Sequence, residues 1–317
     1  MISRIQRSLF LGTLVFLTLA TLAVFAWLVI WPAAYDRWVI QPLMVKLADK
    51  WHWNRQAARE ELGRIGSRAV PALVRQIEDG KTTETLRKEC FQALVSIGQP
   101  AVPALMRLIK DESRDKQVRY EASFATQMIM REHRVEIPDF LDLIRDTDAV
   151  LRWHAAAAHE YLGPKAKPYA TALVEALQDE SVLVRFAAAY SLRRVDPIRT
   201  PLTIPAFVGV LEAEDNRGLW GSTLEELKQL GPDAAAAVPT LIKLLDDPAT
   251  DDSDGARTVR IVETLAAIDK ETRESVPTLL ELTKSTNLFL RVTAWKALQN
   301  IDPETASKVE SSVRVEP

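Results

Sequence analysis

Apolar and polar positions follow a helical period from about residue 38 onward, and the pattern repeats itself. Leu62, Leu94, Thr126, His159, Leu192, Leu227, Leu265 and Leu298 recur at spacings of 32, 32, 33, 33, 35, 38 and 33. Each is followed three residues later by Ile65, Ile97, Ile129, Leu162, Val195, Leu230, Ile268 or Ile301. Seven residues before this column stand Arg55, Arg87, Arg119, Arg152, Arg185 and, in the last unit, Arg291. Between these stretches lie Pro71, Pro103, Pro138, Pro205, Pro239 and Pro277, each opening an apolar i, i+3, i+4 pattern, as in Pro103-Ala-Leu-Met-Arg-Leu-Ile-Lys-Asp111. Proline in a first helical turn forfeits no hydrogen bond and presets φ, so these residues mark helix starts. Every unit reads helix, turn, helix. A period of about 33 residues is the signature of stacked repeats, in which neighbours together bury an apolar stripe that one hairpin leaves exposed.

A second pattern precedes the repeats. From Leu9 to Trp31 the chain runs 23 residues without a charge, and at about 1.5 Å per residue such a helix just exceeds the roughly 30 Å hydrocarbon core of a bilayer. Bulky Trp27, Leu28, Val29, Ile30 and Trp31 occupy its end, where a cleaved signal peptide carries small residues. Trp27, Trp31, Tyr35 and Trp38 cluster at the height that amphipathic rings prefer in a headgroup layer. The expectation is one uncleaved transmembrane helix. Arg4 and Arg7 orient it with the N-terminus in the cytoplasm and the repeats outside. The expected organisation is a flank at 1–8, the membrane helix at 9–31, the repeats at 32–302, and a mobile tail at 303–317 in which no apolar period stands out.

The consensus Pro-x-Leu-x-x-Leu-(Ile/Leu)-x-Asp, then Val-Arg-x-x-Ala-x-x-Ala-Leu-x-x-Ile-Gly, resembles the HEAT repeat, particularly its short form named after phycobilisome lyases. The likeness covers about residues 38 to 302, including Pro42 to Asp49 followed by Arg55. It implies an all-α fold: an α-solenoid, a HEAT-type superhelix of about eight hairpins, with the arginine-bearing second helices lining the concave side. It also implies an Asp/Arg ladder between repeats, built from the arginine column and from Asp49, Asp79, Asp111, Asp146 and Asp179. Trp220 and Thr258 depart from the arginine position in units six and seven.

Charge narrows the function. Residues 1 to 53 carry five basic and two acidic side chains, which leaves 35 basic against 41 acidic in the rest. An acidic repeat region lacks the sign that attracts phosphates, so no nucleic-acid partner is expected. Candidate chemistry is thin. HEAT-repeat enzymes of the di-iron type hold their metals through several His-Glu pairs, and only His159-Glu160 matches that motif. Asp246, Asp247, Asp251, Asp252 and Asp254 precede Gly255, but Thr250 and Ile261 fall where a calcium loop needs its first ligand and its bidentate glutamate. The sequence therefore predicts no catalytic residue, no metal ligand and no cofactor. Cys90 is the only cysteine.

One surface breaks the rule of a polar outer face. Counted from the arginine, positions one, two, four, five, eight and nine beyond it point away from the core. In units three to five these hold Tyr120, Phe124, Trp153, His154, Tyr161, Phe186 and Tyr190. Rigid aromatics anchor interfaces at low entropy cost. The expected function is a membrane-anchored interaction scaffold that binds a protein or peptide partner on its concave side. The alternative is a HEAT-repeat enzyme or a chromophore-handling protein of the phycobilin lyase type.

Overall fold

In a computed structural model the described residues are 31–246 and 256–313, and among them the chain is helical throughout. It divides into two compact units, Met1–Val135 and Glu136–Pro317. The described part of the first starts with α1 (Trp31–Tyr35), which runs through a π-turn, Asp36–Ile40, into α2 (Gln41–Leu47). Three hairpins follow from there: α2 with α3 (His52–Ile65), α4 (Val70–Glu78) with α5 (Glu84–Ile97), and α6 (Val102–Lys110) with α7 (Lys116–His133). The second unit holds five more. These are α8 (Pro138–Leu141) with α9 (Ala149–Ala158), α10 (Ala170–Ala176) with α11 (Val182–Val195), α12 (Ile204–Leu211) with α13 (Trp220–Leu230), α14 (Val238–Asp246) with α15 (Ala256–Ile268), and α16 (Val276–Leu282) with α17 (Leu288–Ile301).

The leucine column is the core of both units. All eight of its members, including Thr126 and His159, are fully buried. Small residues let neighbouring second helices approach closely: Ser191 Oγ donates to the Ala156 carbonyl at 2.8 Å, and Thr264 Oγ1 lies 3.3 Å from that of Leu224. Five of the second helices end in one of two ways. Gly66, Gly98 and Gly231 adopt positive φ after Ile65, Ile97 and Leu230, a region closed to β-carbon residues without strain. After Val195 and Ile301 the stop is Asp196 or Asp302 followed by proline.

The segment expected to be a mobile tail departs from that reading. Residues Pro303–Val313 form α18, with Ala306 and Val313 buried. Ala306, Val309 and Val313 stand at i, i+3 and i+7, an apolar stripe whose first two members join a cluster with residues of α15, α16 and α17. The calcium-loop candidates beyond Asp246 lie outside the described residues, as does the uncharged run up to Trp31. Among the described residues no helix is long and apolar enough to cross a membrane.

Candidate functional site on the second helices

The joint between hairpins absorbs the arginine column. The first helices of units one to five each end on an aspartate whose carboxylate accepts the N–H two residues on: Asp49 from Trp51 at 2.9 Å, Asp79 from Lys81 at 3.0 Å, Asp111 from Ser113 at 3.1 Å, Asp146 from Asp148 at 2.9 Å, Asp179 from Ser181 at 2.8 Å. The following arginine fills the carbonyls left open at that helix end. Arg152 Nη1 donates to Asp146 O and Thr147 O, both at 3.0 Å, and Arg55 and Arg185 repeat the geometry on Asp49, Lys50, Asp179 and Glu180. The remaining edge of the guanidinium reaches the next hairpin. Arg55 pairs with Glu89 and Arg87 with Glu121, each at 2.8 Å, and Arg152 holds Asp179 through Nε at 2.7 Å and Nη2 at 3.0 Å. The expected Asp/Arg ladder therefore runs through an aspartate side chain at Arg152–Asp179, while glutamates of the next second helix serve the first two joints. Burial works against the Asp179 carboxylate, yet the Arg152 and Ser181 hydrogen bonds hold its pKa below the usual range.

The aromatic positions divide. Phe124 is 52% exposed. Tyr120, Trp153, Tyr161, Phe186 and Tyr190 are half-buried, and His154 is buried at 4% exposure against the Trp153 ring, 4.7 Å between centroids. The expectation that position two faces outward is corrected here. Glu89, also at position two, is likewise buried at the joint, so in these two units position two points towards a neighbouring hairpin. Phe186 stacks on Tyr190 at 5.9 Å and meets the core ring of Phe207 edge-on at 6.1 Å, so one ring serves both packing and surface.

Beside Tyr190 an open cavity of about 630 Å³ runs along α11, α13 and α15. It continues the outward register into units six and seven, where the missing arginines had hidden it. Gly218 and Gly221 line it. A Cβ on Gly221 would come within 2.5 Å of Arg260 Nη1, so this glycine makes room for that guanidinium. Its other charges are tied. Arg193 and Arg194 both bind the buried Glu226 carboxylate, the Arg194 guanidinium lies 3.5 Å from the Tyr190 ring centroid, and Lys228 pairs with Glu263 at 2.8 Å. Arg260 is exposed, and among the described residues no carboxylate meets it. Two glycines inside one helical pattern were the sequence signal for this site.

The histidine candidates are packing residues. His159 Nδ1 donates to the Ala155 carbonyl at 2.7 Å, and the ring meets Tyr169 edge-on at 5.5 Å. Desolvation pushes the pKa values of His154 and His159 down to about 4. Among the described residues no group of three or more His, Cys, Asp or Glu side chains is placed to hold a metal ion.

These features define an all-helical repeat protein whose second helices present a mixed aromatic and charged surface. A family model described as HEAT repeats matches residues 40–126 and 137–228, more than half of the sequence, and the chain belongs to that family. No curated protein matches it. Among solved structures it is similar to human deoxyhypusine hydroxylase in complex with glycerol, at 20% identity over 84% of this chain and 96% of that one, with a TM-score of 0.32. It is also similar to an engineered protein, at 17% identity over 83% and 96% of the two chains, with a TM-score of 0.22.

Proposed function

We propose that this protein is a scaffold held at a membrane by residues 9–31, which binds an extended polypeptide partner along the second helices of its repeats. The observation that carries the reading is the open cavity on α11, α13 and α15, flanked by Tyr190 and Phe186 and lined by charges of both signs. A peptide offers what such a surface selects for: main-chain polar groups, a carboxylate for Arg260, and side chains for the aromatic rim. The anchor rests on the 23 uncharged residues from Leu9, and the orientation on Arg4 and Arg7. In this reading the repeats work outside the cytoplasm.

A photo-crosslinkable residue at exposed Glu225, inside the cavity, should give a discrete adduct in native membranes, and one at exposed Ile198 should not. Trp153→Ala and Arg260→Glu should weaken that adduct, the first by about 2 kcal/mol if Trp153 is an interface anchor. Leu192→Ala supplies the core comparison, with an expected stability loss of about 3 kcal/mol. Equal stability losses for Trp153→Ala and Leu192→Ala, with capture by folded protein unchanged, would reduce the aromatic rows to packing. For the anchor, full-length protein should stay in the membrane pellet after alkaline carbonate; release would remove that part of the reading. Alkaline phosphatase fused after Pro317 should be active in a bacterial host, and a stable but inactive fusion would reverse the topology.

A further inference from the structure

Large apolar side chains are exposed in an uneven way. Trp31 is 59% exposed, Trp38 76%, Val45 74%, Trp51 48% and Trp53 61%, all between the start of α1 and the first turn of α3. On the same continuous helix Ile40, Met44 and Leu47 are buried, so the helix has a second apolar stripe at 31, 38 and 45, two turns apart, facing away from its own core. Trp51 and Trp53 stack on each other with centroids 4.7 Å apart and 16° between planes, leaving both rings open to solvent. Contiguous exposure of this kind marks an interaction surface.

The local charges identify the occupant. Both carboxylates of the segment have partners: Asp36 pairs with Arg75 at 3.1 Å, and Asp49 accepts from Trp51 N and Asn54 Nδ2, each at 2.9 Å. Arg37 and Lys46 have no carboxylate partner among the described residues, and the Lys50 ammonium lies 5.2 Å from the Trp51 ring centroid. Tryptophan interleaved with uncompensated basic residues fits the interface of a bilayer that carries anionic lipid. The uncharged run of the sequence also ends at Trp31, the first residue of α1.

We infer that the first hairpin is itself a membrane-contact surface, with Trp31, Trp38, Val45, Trp51 and Trp53 in the interfacial layer and Arg37, Lys46 and Lys50 on lipid phosphates. This second attachment rests on the membrane reading above, and its test separates the two. Full-length protein is reconstituted into phosphatidylcholine vesicles with and without phosphatidylglycerol, carrying an NBD fluorophore at Trp53→Cys or at Ile198→Cys. Cys90 is buried and its thiol is pushed up to about 12, so labelling is confined to the introduced cysteine. Residue 198, 84% exposed in the second unit, reports a solvated site.

The expected result is blue-shifted NBD emission at residue 53 and quenching by nitroxide-labelled lipid roughly threefold or more that at residue 198, stronger with phosphatidylglycerol. Equal quenching at both positions, in protein that resists carbonate, would overturn the contact and leave the span standing. A blue shift without lipid quenching would mean that protein covers the site, and would also overturn it. Lipid quenching in protein that carbonate then releases would keep the contact and remove the span.

Discussion

His154 and His159 show what a single residue does to a repeat core. Both are deeply buried, and desolvation lowers their pKa values from 6.5 to about 4. Between those values the unfolded chain binds protons that the folded chain refuses, so stability is complete above about pH 6.5 and falls as the pH drops towards 4. His159 occupies a column that holds leucine in six of eight units, and its Nε2 has no hydrogen-bond partner among the described residues. His159→Leu should therefore weaken the pH dependence, with His154 carrying the remainder, and leave neutral stability equal or higher. Urea midpoints at about pH 7 and about pH 5 read this directly. A variant that loses stability at neutral pH and keeps the full acid slope would show that another group carries the titration. The burial of His159 was legible in the register. That of His154 was not, because counting positions from an arginine treats the helix as facing one core, whereas position two is buried in some units, as at His154 and Glu89, and exposed in others, as at Ser222 and Arg260.

At the scale of the helical element, the joint is where sequence and structure agree in kind and differ in partner. The spacing of arginines announced a structural role, and Arg152 fulfils it with contacts to Asp146 O, Thr147 O, Asp179 and Glu180. What spacing could not supply was which carboxylate closes each joint, since Glu89 and Glu121 share position two of the next second helix whereas Asp179 ends the next first helix. Arg152→Ala should cost about 3 kcal/mol, because it leaves Asp179 and two helix-end carbonyls without their donor. Arg152→Lys should recover only part of that loss, since an ammonium cannot bridge two oxygens of Asp179 while also donating to both carbonyls. The contrast is Arg64→Ala on the surface, paired with Glu61 at i−3 and 72% exposed at its side chain, which should change stability by less than about 0.5 kcal/mol. Denaturant unfolding of the three variants measures the ranking. Equal losses for Arg152→Ala and Arg64→Ala would remove the structural role of the column.

For the molecule as a whole, a repeat array must close its last apolar face, and this chain does so with residues that composition alone would discard. The segment after Asp302 is rich in Ser and Glu, which masks the stripe of Ala306, Val309 and Val313. The signal was present elsewhere in the sequence. Asp302-Pro303 repeats Asp196-Pro197, the junction that precedes the next hairpin in unit five, so α18 begins where a ninth first helix would begin. It joins the core formed by Val259, Val262, Leu279, Leu290, Leu298 and Ile301, and Trp295 Nε1 donates to Ala306 O at 3.2 Å. Ending the chain after Asp302 should uncover Leu298, Ile301 and the Trp295 ring together. At about 25 cal/mol per Å² of apolar surface, the loss should reach a few kcal/mol, enough to lower Tm by several degrees in a unit of this size. Ala306→Asp makes the same test without truncation, because it sets a charge at a site 2% exposed. Both variants should bind a hydrophobic dye more strongly, and the truncation should shift tryptophan emission to the red as Trp295 enters water. Unchanged melting in both would return residues 303–313 to the status of a tail and leave the last hairpin to close the array by itself.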